Sequence, residues 1–370
     1  MKLIHISDLH IGKRLYGFDL EEDQRHILNE IIHIIEEEKP DAVLIAGDIY
    51  DRADPSATAV RIFDDFLSML AGTKSEVFMI YGNHDSASRI SYGGRVFSDS
   101  GIHISPVYED GIEPIRLSDD HGPVDIYMLP YLRSVEAMDA LKKIETDEGA
   151  RNVIVSHQFV TSALLGESEE MNVGSLDNID GACYDSFDYS ALGHIHMPQT
   201  LKNTEGKSLI RYCGSPLAYS FSDSDCIRKS VTVVELGAKG DIDIKEVPLE
   251  PLHKMSTIKG EFDEIISDKA LIEKYKDDFL RVILTDTVGV TDAMARLQTV
   301  FKNVMTLEYE YMRKQSDDVV VEETNTEGTP GELFDALYME QHDGERPDEF
   351  QEKVITDLIQ EIWEGENETD

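Results

Sequence analysis

Asp8 and His10, Asp48, Asn83 with His84 and Asp85, His157, and His194 with His196 form five short polar clusters between residues 8 and 196. They supply carboxylates, imidazoles and one carboxamide, and no thiolate. A mixed N/O donor list of this kind suits a pair of Mn2+, Fe or Zn ions bridged by an Asp. The chemistry expected of such a pair is hydrolysis of a phosphate ester. The clusters differ in how much they say alone. Asp8-Leu9-His10 and Gly47-Asp48 are patterns that common turns also produce. Gly82-Asn83-His84-Asp85 is sharper, since a given tetrapeptide occurs in a chain of this length with a probability on the order of a few in a thousand. Gly193-His194-Ile195-His196 puts two imidazoles on one side of an extended segment. As plain core histidines they would need two separate hydrogen-bond partners.

Each cluster follows a run that reads as a buried strand: residues 2–7, 42–46, 77–80, 153–156 and 189–192. Strands ending at one rim would bring the polar residues together. Helical spacing fills the gaps, with Ile27, Leu28, Ile31, Ile32, Ile34 and Ile35 on one face of residues 20–38. A second helix starts after Asp54, Pro55 and Ser56 and runs to Gly72. Further strands at 126–129, 209–213 and 231–236 are too many for one simple open sheet. The fold class read from this is α/β, a two-sheet sandwich flanked by helices.

After Pro248 and Pro251 the texture changes. Strands at 255–259, 279–285 and 304–311, with helices at 261–275 and 292–301, predict a separate β-α-β-α-β unit. Residues 316–330 read as an acidic linker. Two short amphipathic segments follow, one with Leu333, Phe334, Leu337 and Tyr338, the other running from Phe350 through Leu358 to Trp363. A pair this short cannot bury its apolar stripes by itself and is expected to dock on something. The division is therefore 1–250, 251–315, 316–330 and 331–370.

The chain has 370 residues and a formal charge of −40. Taken alone that charge argues against a nucleic-acid partner. Its distribution matters more, since residues 317–370 hold 19 Asp and Glu against Arg346 and Lys353. Bound cations also offset acidity where they sit. Cys183, Cys213 and Cys226 are too few and too irregular for a disulfide framework and read as isolated thiols. With no signal-peptide pattern and no long apolar run, the expectation is a cytoplasmic protein with no membrane contact.

In this order the five clusters resemble the calcineurin-like metallophosphoesterase superfamily, over roughly residues 1–250. Ser7-Asp8-Leu9-His10-Ile11-Gly12, Gly82 to Ser86, Ala191 to His196, and above all Arg211-Tyr212-Cys213-Gly214-Ser215-Pro216 make the chain similar to the bacterial SbcD (Mre11-type) nuclease subunits. The resemblance extends to a capping domain at 251–315 and to a terminal helix pair that docks on an SbcC/Rad50-like ATPase. It implies two Mn2+ ions, with Mg2+ or other divalent ions as substitutes. Asp8, His10 and His196 would bind one and Asn83, His157 and His194 the other, with Asp48 bridging. His84 would protonate the leaving oxygen or contact the transition state, and Asp85 would orient its imidazole or raise its basicity. The implied activity is 3'-5' exonuclease and endonuclease cleavage in DNA end processing, by a homodimer within a heterotetramer.

Lys13, Arg14 and Tyr16, directly after the first cluster, are the residues expected to meet DNA; Arg89, Arg95 and Arg133 are weaker choices. One stretch departs from the nuclease pattern. Gly47-Asp48-Ile49-Tyr50-Asp51-Arg52 reads close to the signature of Ser/Thr protein phosphatases, in which the Arg clamps phosphate. It motivates the alternative of a phosphatase or cyclic-nucleotide phosphodiesterase, with a local Asp51–Arg52 ion pair as the plainer account. A metal-free scaffold between partner and DNA is the third reading, and the intact donor set argues against it.

Overall fold

The computed structural model describes residues 1–161, 163–164, 178–202, 208–222, 228–311, 338–339, 346–347 and 351. The expected acidic linker and Cys226 lie outside the described residues, as does the terminal helix pair except at 338–339, 346–347 and 351. Residues 1–310 form one compact unit and residues 311–370 a second.

In the first unit, β1 (Lys2–Ile6), β2 (Ala42–Ala46), β3 (Glu76–Ile80) and β4 (Ile102–Ile104) are parallel neighbours. A second sheet contains β5 (Ile115–Asp119), β6 (Gly122–Leu129), β7 (Arg151–His157), β8 (Tyr189–Gly193), β9 (Gln199–Lys202) and β10 (Leu209–Tyr212), in the order β9-β10-β8-β7-β6-β5. Its four inner strands are parallel, and the outer strands β9 and β5 are antiparallel. β11 (Ser230–Leu236) returns antiparallel to β1, and β12 (Ile242–Pro248) completes the first sheet.

Period-two alternation explains how each strand serves two cores. Leu3, Leu44, Phe78 and Ile80 face Val124, Ile126, Val153, Val155 and Ala191 in the layer between the sheets. Ile4 and Ile6 instead face α1 (Glu21–Glu38) and α2 (Ala57–Gly72), where Ile27, Ile31, Phe63 and Phe66 are buried. Each such side chain contributes ~1.5–3 kcal/mol on burial. Ser56 caps α2, its hydroxyl accepting from the Ala59 amide at 3.1 Å. On the far face of the second sheet, α3 (Ser134–Lys143) covers Tyr127, Ile154 and Leu192.

β13 (Met255–Gly260), β14 (Phe279–Leu284) and β15 (Val304–Tyr309) make a three-stranded parallel sheet with its own core of Ile258, Phe262, Leu280, Val282, Leu297 and Phe301. The single helix expected at 261–275 is two helices, α4 (Phe262–Ser267) and α5 (Lys269–Tyr275). Asp268 breaks it, because its carboxylate accepts from the Ala270 and Leu271 amides at 2.8 and 3.1 Å and so starts a new helix. The helix expected at 292–301 is shorter, α6 (Ala293–Gln298).

His5 lies in β1, fully buried between the sheets, with Nδ1 2.9 Å from the Tyr189 hydroxyl. Burial, and then the Arg211 cation, hold its imidazole down to about 3. The folded value lies below the unfolded one, so from about pH 6.5 downward the unfolded chain takes up a proton that the folded chain refuses. Stability present above that pH is lost towards pH 3, at ~1.4 kcal/mol per pH unit. His5→Phe is expected to lose about 2–3 kcal/mol less than the parent between pH 6.5 and 4.5. Urea midpoints of both proteins at both pH values measure this; identical acid losses would refute it.

Candidate metal centre

All five clusters sit at the carboxyl ends of parallel strands: Asp8 after β1, Asp48 after β2, Asn83 after β3, His157 at the end of β7 and His194 after β8. Open parallel sheets place ligand sites at this edge. The first two turns run side by side, with the Asp8 amide on the Gly47 carbonyl at 3.1 Å and the His10 amide on the Asp48 carbonyl at 3.0 Å. Turning so sharply strains the backbone. Of the seven non-glycine residues with positive φ among the described ones, four are Asp8, His10, Asp48 and His194. Strain concentrated there marks a site whose geometry is imposed by its surroundings. Gly82 is required by proximity, since a Cβ there would lie 2.1 Å from an Asp48 oxygen.

Asp8, His10 and His196 each offer one ligand atom, all within 4.8 Å of one another. Asp8, Asp48 and His157 form a second such group, and His10, Asp48 and His84 a third. The Asn83 carboxamide oxygen lies 3.0 Å from both His157 Nε2 and His194 Nδ1. Asp48 is central, 3.4 Å from His157 Nε2, 3.6 Å from His10 Nε2 and 4.0 Å from His84 Nε2. Asp8 is held by the Ser7 hydroxyl and by the His194 amide, the latter at 2.9 Å. His157 donates Nδ1–H to the Ala46 carbonyl at 2.7 Å, which leaves Nε2 turned to the carboxylates.

The electrostatics fit cation binding. Burial pushes His10 down to about 3, and burial with the neighbouring His157 pushes His194 down to about 4. Burial, then His10 and Lys229, hold His196 well below its usual value. These imidazoles stay neutral and keep lone pairs, the form in which histidine ligates. His10 Nε2 and His196 Nε2 lie only 3.1 Å apart, two nitrogens of weak bases turned to one point. At the other group burial pushes His157 down, but Asp48 outweighs it and lifts the imidazole to about 9. Asp48 is held low by His157 against its burial, whereas burial raises Asp8 to about 7. A cation at this point would displace the His157 proton.

Residues 1–198 match a family described as calcineurin-like phosphoesterase. This chain belongs to the calcineurin-like phosphoesterase family. Residues 251–342 match a second family, described as a type 5 capsule protein repressor C-terminal domain. The SbcD subunit of the SbcCD nuclease from Staphylococcus epidermidis is 30% identical over 353 residues, which cover 87% of this chain and 92% of the relative. Its namesake from Staphylococcus saprophyticus is 32% identical over 327 residues, 83% of this chain and 84% of the relative. A solved dimetal phosphatase from Danio rerio aligns over 68% of this chain and 98% of its own at 11% identity, with a TM-score of 0.42; the family match alone carries the assignment. A metallophosphoesterase with these donor groups uses divalent metal ions.

In this phosphoesterase Asp85 does not orient His84. Its buried carboxylate accepts from the Gly82, Ile49 and Tyr50 amides at 3.0, 3.0 and 2.9 Å, which ties the third turn to the second. Burial and Asp48 raise it to about 6. The group on His84 Nδ1 is the Asp51 carbonyl at 3.1 Å. Asp51 pairs chiefly with Lys13 at 2.7 Å, while Arg52, 82% exposed, stands 3.8 Å away. Lys13 also lies 5.4 Å from the centre of the Tyr219 ring. Arg14 and Tyr16 are farther out, Arg14 bonding the Gly17 carbonyl and Tyr16 resting 5.8 Å from the Phe221 ring. Arg89 is engaged with Asp54 at 2.6 Å.

Gln24 and Tyr219 also support the site from outside the five clusters. Gln24 on α1 donates to the His10 carbonyl at 2.7 Å and accepts from the Gly12 amide at 2.9 Å. The sequence holds a signal for it, since Gln24 is a polar residue in the stripe of Leu20, Leu28 and Ile31. Tyr219 donates to the Leu9 carbonyl at 2.5 Å and packs its ring 5.4 Å from His10 and 5.8 Å from His196. Nothing in its own neighbourhood along the chain announces that.

Proposed function

We propose that this phosphoesterase is the nuclease subunit of an SbcCD-type complex, cleaving DNA phosphodiester bonds as a 3'-5' exonuclease and endonuclease with two Mn2+ ions. The observation that carries the reading is identity of 30% and more, over most of both chains, with two proteins named as nuclease subunits. Asp8, His10 and His196 would hold one ion, Asn83, His157 and His194 the other, and Asp48 both. Bound there, two cations supply Lewis acidity to the phosphoryl oxygens and lower the pKa of water. The chain's own part is to keep three imidazoles neutral, to fix Asp8 and Asp48 by amide bonds, and to present His84, one-quarter exposed, to the leaving oxygen.

The division into a catalytic part at 1–250, a capping part at 251–315, a linker at 316–330 and a partner-binding part at 331–370 belongs to the same proposal. The partner is an SbcC/Rad50-like ATPase that would add basic surface to a chain of charge −40. A homodimer is supported by Val60 on α2 and by Tyr92, Val96 and Phe97, which are exposed by 38–82%. DNA contact falls to Lys13, Arg14 and Tyr16. Turnover of single- and double-stranded DNA, of bis(4-nitrophenyl) phosphate and of a phosphomonoester, each with Mn2+ and with the ATPase present, tests the reading. DNA cleavage is expected; monoester turnover without it would make the protein a phosphatase.

A further inference from the structure

We propose that Lys229 is a positioning residue of the metal centre: its buried ammonium fixes the main chain of the loop that carries His196. Only 7% of Lys229 is exposed, in a residue type seldom buried without a partner. Its Nζ donates to the His196 carbonyl at 3.2 Å and to the Ser215 hydroxyl at 3.1 Å. The Ser215 amide reaches the same His196 carbonyl at 3.2 Å, and its hydroxyl passes on to the Leu217 carbonyl at 2.7 Å. Gly214, at φ 78°, admits this approach, because a Cβ there would lie 2.7 Å from the His196 oxygen.

The base of the side chain is fixed as well. Lys229 immediately precedes β11, and its carbonyl accepts from the Leu249 amide at 2.9 Å. The ammonium thus ties a strand of the first sheet to the loop that leaves the second. Two donors on its carbonyl restrain the main chain from which the His196 side chain reaches to set Nε2 3.1 Å from His10 Nε2. A lysine suits the task because one ammonium has three donors and charge-assisted bonds are the stronger ones. Its charge opposes cation binding while its hydrogen bonds favour it. Hydrogen bonds that orient metal ligands typically change metal affinity by about 10–100-fold, the size of effect expected here.

The inference rests on the reading of His196 as a ligand. Full-length Lys229→Met and Lys229→Arg are titrated with Mn2+ by calorimetry from the metal-free state, and bis(4-nitrophenyl) phosphate turnover is followed at saturating Mn2+. Lys229→Met is expected to bind Mn2+ about tenfold more weakly, with kcat at saturation nearly unchanged, and Lys229→Arg to recover most of the affinity. Equal or tighter binding by a folded Lys229→Met overturns the inference. Should that variant not fold, Ser215→Ala, which removes only the shared hydroxyl, is expected to weaken Mn2+ binding by no more than about tenfold, and unchanged affinity overturns it. A parent protein that binds Mn2+ yet cleaves no phosphodiester refutes the nuclease reading and leaves this one standing.

Discussion

Asp48→Ala is expected to retain at most one tightly bound metal ion per chain and to lose at least ~10³-fold in phosphodiesterase turnover, about 4 kcal/mol of barrier. Asp48 faces both halves of the site, 3.6 Å from His10 and 3.4 Å from His157. Its oxygen also receives the His84 amide at 3.0 Å, and Gly82 has no side chain because Asp48 occupies that space. Alanine therefore removes the proposed bridging ligand, a backbone anchor and the counter-charge that holds His157 protonated. Asp48→Asn separates these effects, since it keeps shape and the His84 contact but not the charge. Metal content after gel filtration and turnover of bis(4-nitrophenyl) phosphate are the measurements. Two ions per chain with unimpaired turnover in Asp48→Ala would remove Asp48 from the bridging role.

How far the sequence alone reaches follows the physics of each element. β1, β2, β3, β7 and β8 are apolar on both faces because both are covered, so they stand out as continuous runs. The polar residues that end them are legible for the same reason, a charge after a buried strand being conspicuous. β5 and β12 carry no such signal. They lie at sheet edges with alternating half-exposed residues such as Ile115, Leu117, Ile242 and Ile244, and such short alternation resembles loop sequence. Contacts across long separations are beyond reach in principle. No local pattern says that Tyr219 leans on His10, or that the Asp85 carboxylate serves three amides rather than the neighbouring imidazole. The strained backbone at Asp8, His10 and Asp48 is equally hidden, because it violates local preference and exists only where tertiary contacts impose it.

His84 is where the assignment of roles meets its hardest test. Its nitrogens fall within ligand range of His10 and Asp48, so geometry alone admits a metal-ligand role. The proposed role differs: Nδ1 is engaged by the Asp51 carbonyl, and the ring is one-quarter exposed beside the buried His10 and Asp48. A ring so placed is open to solvent at the site, and under the proposed role it would give a proton to the departing oxygen. His84→Gln, which keeps an amide of similar reach but no titratable nitrogen, is expected to retain two ions per chain while kcat on DNA falls ~10²–10⁴-fold. The loss should depend on the leaving group. A 4-nitrophenolate departs without needing a proton, so bis(4-nitrophenyl) phosphate should lose far less than a DNA strand, whose leaving oxygen is a sugar hydroxyl. Equal losses on both substrates, or departure of an ion from His84→Gln, would take the proton-donor role from His84 and make it a ligand or an anchor.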